Sequence, residues 1–92
     1  MQEEIGVKQT IAVFDDDQDL LEIFRFLFEE EGYRTVLHKS CDDVVAKVRD
    51  LQPCLILMDN WIPVLGGEAA IAQLRSEEDL QHIPIYFGVC QQ

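Results

Sequence analysis

Five apolar residues in a row, Cys54-Leu55-Ile56-Leu57-Met58, stop at the carboxylate of Asp59. No other stretch limits the fold as tightly. A run this short reads as a strand buried on both faces, the kind found in a parallel sheet covered by helices. Asp59 then stands where the strand leaves the core. Pro63 and Gly66-Gly67 keep the next loop from continuing as strand or helix. In open α/β sheets, sites form outside the carboxyl ends of the strands, so an acid in this place is a site candidate. Taken alone, an Asp that merely ends a strand explains the same letters.

A second apolar run, Thr10–Phe14, also ends in acid, Asp15-Asp16-Asp17. Asp16 or Asp17 can cap the helix that follows, and carboxylates suit a helix N-terminus electrostatically. Capping needs only one of the three. The helix is predicted over Gln18–Glu31, with Leu20, Phe24, Leu27 and Phe28 on one face, Ile23 beside them, and Gly32 as its stop. Tyr33–Leu37 is a weaker strand with polar residues interleaved, suited to a sheet edge. Ser40 and Asp43 have capping-box spacing. They open a second helix with Val44, Val45, Val48 and Leu51 on one face, ended by Pro53. Beyond the loop, Gly67 precedes a third helix whose Ala70, Ile71 and Leu74 point inward. Its end, Ser76 to Asp79, is expected in solvent. Ile83–Phe87 is the fourth strand, with Pro84 tolerable near its start.

Strand and helix alternating in this way imply right-handed crossovers and a parallel sheet with helices on its faces. A switch point between the first and third strands brings Asp15, Asp16 and Asp59 to one mouth. Carboxylates gathered so closely repel one another and resist ionising. A hard divalent cation resolves this, and Mg²⁺ is usually held by one or two carboxylates together with a phosphate. The constellation therefore suggests Mg²⁺-assisted phosphoryl chemistry with a carboxylate as nucleophile.

Composition sets the outer bounds. The chain has 92 residues, one domain at most, and 48% of them are hydrophobic, enough for a small core. Eighteen acids against seven bases give a net charge of −11. That argues against nucleic acid or an anionic membrane as a direct partner. Cys41, Cys54 and Cys90 cannot all pair, show no metal-ligand spacing, and read as cytosolic thiols. Glu3 and Glu4 do not fit a signal peptide, and no apolar stretch reaches membrane-spanning length. A cytoplasmic location is expected.

Val13 to Asp17 and Leu55 to Gly67, with Pro63 four and Gly67 eight positions after Asp59, resemble the receiver domain of two-component response regulators. Asp59 follows Asp16 by 43 positions, also typical of that family, and the register holds from Thr10 to Phe87. The resemblance implies a flavodoxin-like α/β three-layer sandwich, strand order 2-1-3-4, as a single unit over residues 1–92 with a core of about 10–87. It implies Asp59 as phosphoacceptor. It implies a Mg²⁺ site made by Asp15, Asp16, Asp59 and the backbone carbonyl of Trp61, with Asp16 a direct ligand. The donor would be a phosphohistidine on a sensor histidine kinase or phosphotransfer protein. Asn60 is assigned to the turn.

Three departures stand out. Gly66 replaces an Asp common in the family. Val89, thirty positions after Asp59, stands where the family has Ser or Thr. The family's Lys at the end of a fifth strand has no counterpart, since the last Lys is Lys47. By the same resemblance the fifth strand and the last two helices are expected to be missing. The fourth strand would then be an exposed apolar edge, open to self-association. Two further readings compete with a phosphoacceptor that is not itself an enzyme. One is a degenerate receiver-like interaction module that does not switch. The other is a Mg²⁺-dependent phosphohydrolase, disfavoured because such enzymes commonly carry an acid where this chain has Trp61.

Overall fold

A computed structural model describes residues 8–59 and 66–88. Four strands, β1 (Thr10–Phe14), β2 (Arg34–His38), β3 (Leu55–Met58) and β4 (Ile85–Phe87), alternate with three helices, α1 (Gln18–Glu30), α2 (Val44–Leu51) and α3 (Gly67–Arg75). A 3-10 turn, Glu78–Leu80, lies between α3 and β4. All strand pairs are parallel, in the order β2-β1-β3-β4. This is the expected flavodoxin-like arrangement, with β1 and β3 side by side at the switch point.

The pleat sorts the apolar residues onto two faces. Ile11 and Val13 of β1 and Leu57 of β3 pack with Leu21 of α1, flanked by Phe24, Phe28 and Leu37. Ala12 and Phe14, with Ile56 and Met58, point the other way. They meet Val44 and Val48 of α2 and Ala70 and Leu74 of α3. Continuous apolar runs in β1 and β3 follow directly: neither face of the central pair meets water.

Several local features differ from the sequence-based expectation. On α1 it is Leu21 that is fully buried, with Leu20, Phe24 and Phe28 half-buried. Leu27 and Ile23 remain 52% and 51% exposed. The buried stripe runs through positions 21, 24 and 28, which leaves Ile23 and Leu27 on the flank. Strand β2 starts one residue late. The Tyr33 amide donates to the Phe28 carbonyl and its ring meets Phe28 edge-on, so Tyr33 belongs to the helix terminus. Gly32, at φ +94°, makes that reversal in the left-handed region where a side chain would be strained. The capping box of α2 does not form. Asp43 takes a left-handed conformation with no side-chain cap bond, and Ser40 Oγ accepts from the Asp42 amide at 3.4 Å. Cys54 precedes β3 and is half-buried. Pro84 precedes β4, where its carbonyl accepts from the Ile56 amide. Ser76 to Asp79 lie towards solvent as expected, and Leu80 and Ile83 beyond them join the core.

Candidate functional site

The last rungs of the sheet fix the backbone of the mouth. The Asp15 amide donates to the His38 carbonyl, and the Asp59 amide donates to the Phe14 carbonyl, each at 3.0 Å. The ladder thus continues one residue past the strands and holds both acids at neighbouring carboxyl ends. His38 stacks on Phe14 with ring centroids 4.7 Å apart, stiffening the end of β2. Asp15, Asp16 and Asp59 each place a carboxylate oxygen within 4.8 Å of the other two. Asp15 and Asp59 are buried, 1% and 3% exposed, while Asp16 faces solvent.

The carboxylates of Asp15 and Asp59 are only partly provided for. Asp15 Oδ1 accepts from the Asp17 amide at 2.9 Å. Asp15 Oδ2 and Asp59 Oδ1 are buried with no hydrogen-bond partner among the described residues. Such atoms are costly unless something outside the chain completes them. Burial raises the pKa of Asp15. The Asp17 amide opposes that shift, and the neighbouring charge of Asp59 adds to it. An acid pair with buried oxygens that have no partner among the described residues, all hard donors, fits a hard divalent cation such as Mg²⁺.

The sequence places Asp15, Asp16 and Asp59 together, and so does the structure. Asp17 takes the capping role: its Oδ1 accepts from the Asp19 amide at 3.0 Å and the Leu20 amide at 3.3 Å. Asn60, Trp61, Pro63 and Val89 lie outside the described residues. Sequence reasoning did not identify the turn in which Asp17 holds Asp15, although the two-residue spacing is that of an Asx turn. Nor did it identify the contact of Cys41 Sγ with Met58 Sδ at 3.6 Å, behind the site. Burial pushes the Cys41 thiol up to about 11, so it stays protonated and inert.

The response regulator receiver domain profile matches residues 11–90, and this chain belongs to that family. It is 31% identical over 77 residues to the polar-differentiation response regulator DivK of Brucella ovis, covering 84% of this chain and 63% of DivK. The chain therefore spans just under two thirds of the length of that relative. Among solved structures it is similar to the receiver domain of the sensor histidine kinase PA1611 from Pseudomonas aeruginosa. The TM-score is 0.81 and identity 26%, covering 88% of this chain and 66% of that one. That structure has a magnesium ion coordinated in its active-site cleft. The chemotaxis protein CheY4 of Vibrio cholerae shares the fold, with TM-score 0.80, identity 17%, and 88% and 68% of the two chains covered. Among the described residues, no helix is long and apolar enough to cross a membrane.

Proposed function

We propose that this chain is a phosphoacceptor module of a cytoplasmic two-component phosphorelay, with Asp59 as the residue that takes the phosphoryl group. The observation that carries this reading is the trio Asp15, Asp16 and Asp59, drawn within 4.8 Å, with two buried oxygens that have no partner among the described residues. A carboxylate oxygen of Asp59 attacks phosphorus in line as the bond to the donor's imidazole nitrogen breaks. With the donor's other ring nitrogen protonated, the departing nitrogen keeps the bonding pair and the ring leaves as neutral imidazole. The product is an acyl phosphate on Asp59. The donor is a sensor histidine kinase or a phosphotransfer protein.

Asp15, Asp16 and Asp59 would hold Mg²⁺, with the Trp61 carbonyl as the further ligand carried over from the family pattern. Bound there, the ion would offset the charge on the transferring phosphoryl oxygens. The chain's own contribution is position. The sheet rungs fix Asp15 and Asp59, and the Asp17 amide holds one Asp15 oxygen.

One observation favours a second reading, a receiver-type interaction module that does not switch: Val89 carries no hydroxyl where the family supplies one. Incubation with acetyl phosphate and Mg²⁺, followed by intact mass measurement, separates the two. A gain of one phosphoryl group, absent in Asp59→Asn, supports the acceptor. Equal labelling of both chains would remove Asp59 from that role, and no labelling of either, by acetyl phosphate or by a kinase, favours the non-switching module. Release of phosphate from a small ester by the unmodified chain would favour a phosphohydrolase instead.

A further inference from the structure

Asp17 is the one acid of the Asp15-Asp16-Asp17 run that does not contribute to the trio at the mouth. Its own bonds still lead there. Its backbone is extended, at φ −94° and ψ 108°, as an N-cap requires. Its side-chain Oδ1 accepts from the Asp19 and Leu20 amides, and its carbonyl accepts from the Leu21 amide at 3.0 Å. Leu21 is fully buried against β1 and β3, so this first turn is anchored in the core. From that anchored position the Asp17 amide donates to Asp15 Oδ1. Asp15 is therefore gripped at two points, its amide by the His38 carbonyl and one carboxylate oxygen by Asp17. The grip leaves Oδ2 as the buried oxygen with no partner among the described residues.

We propose that Asp17 is a positioning residue for the cation site: its capping carboxylate locks the strand-to-helix junction, and through its amide it fixes the rotamer of Asp15. This rests on the Mg²⁺ reading above and deepens it. A plain electrostatic role predicts something different. If Asp17 acted by its negative charge, any neutral residue in its place would weaken the cation equally. If it acts by capping, Asn and Ser should replace it, because both cap as well as Asp does, whereas Ala does not.

The test is a calorimetric Mg²⁺ titration of the whole chain and its Asp17→Asn, Asp17→Ser and Asp17→Ala variants, well below their melting temperatures. Amide hydrogen exchange at Asp17 is followed in parallel. The Asn and Ser variants should bind within about twofold of the unmodified chain and keep the Asp17 amide protected. The Ala variant should bind roughly five- to tenfold more weakly, the size of a lost cap, and lose that protection. Arg49→Gln, which removes an exposed bridge that does not involve the trio, serves as the negative control and should titrate like the unmodified chain. Equal weakening in Asn, Ser and Ala would overturn the proposal in favour of charge. Unchanged binding in Ala would overturn it outright while leaving the Mg²⁺ reading intact. An unmodified chain that binds no Mg²⁺ would overturn both.

Discussion

Two groups of acids in this chain have been provided for in opposite ways. At the mouth, Asp15 and Asp59 are buried, Asp16 stands beside them, and two oxygens have no partner among the described residues. After α3, Glu77 and Asp79 have exposed side chains, and Arg49 of α2 joins them both. Its Nε meets Asp79 and its Nη2 meets Glu77, each at 2.8 Å. Among the described residues, these are the ion pairs, and none reaches the mouth. One group has its cation built into the fold. In the other, Asp15 and Asp59 are moved out of water with no ion pair among the described residues. Burying charge without compensation costs several kcal/mol unless something offsets it, whereas exposed pairs contribute little either way. Under the proposed function, the difference makes the mouth the group that a bound cation would stabilise most. It also gives the two groups opposite responses to neutralisation.

The largest expected effect follows at Asp59. Asp59→Asn should abolish phosphoryl uptake and yet make the metal-free chain more stable, by about 1 kcal/mol. The amide removes a charge from beside Asp15 and supplies a donor at a buried position with no partner among the described residues. Urea unfolding without divalent ions measures it. A variant less stable than the unmodified chain would mean that the mouth is already satisfied and is not waiting for a cation.

The next contrast is in pH. The folded-state pKa of Asp15 lies above its ordinary 3.8. Between the unfolded and folded values, the folded chain binds the extra proton, so this group makes stability fall as pH rises through that window. Asp15→Asn should therefore match the unmodified chain below the window and become progressively more stable than it above. Mg²⁺ should reverse the deficit at neutral pH. At ten times its Kd it would stabilise the unmodified chain by about 1.4 kcal/mol, and less in acid, where protons compete. Thermal melts across pH, with and without Mg²⁺, would show this. A difference between the two chains that does not change with pH would break the contrast.

The sequence reveals the mouth far better than the bridge, and the reason is physical. Unbroken apolar runs ending in acid, alternating with helices, point to a parallel sheet with sites at its carboxyl ends, and the receiver resemblance adds the strand order that sets Asp15 and Asp16 beside Asp59. Arg49 meets partners 28 and 30 residues away, across a junction that only packing defines. Helix α1 was legible in extent and not in facing. Leu20, Leu21, Ile23, Phe24, Phe26, Leu27 and Phe28 make most of its circumference apolar, so periodicity could not separate the buried stripe from the exposed Ile23 and Leu27. The Ser40–Asp43 spacing promised a cap, but Asp43 went left-handed, a conformation Asp tolerates better than most residues.

The smallest effect belongs to the compensated group, and it should run the other way in pH. The guanidinium of Arg49, bonded to Asp79 and then Glu77, is held above its ordinary pKa, and the same bond holds Asp79 below its own. A depressed carboxylate contributes stability above its unfolded value and loses it as pH falls through the folded one. Arg49→Gln should thus lower the melting temperature slightly at neutral pH, with the loss fading in acid and in high salt, because all three side chains are exposed and screened. Unlike Asp15→Asn, it should leave the Mg²⁺ titration unchanged, since the exposed Glu77 and Asp79 remain hydrated when Arg49 is removed. If Arg49→Gln instead created a second Mg²⁺ response, Glu77 and Asp79 would themselves hold the ion once freed. An internal cation would then be all that separates a structural acid group from a functional one in this chain.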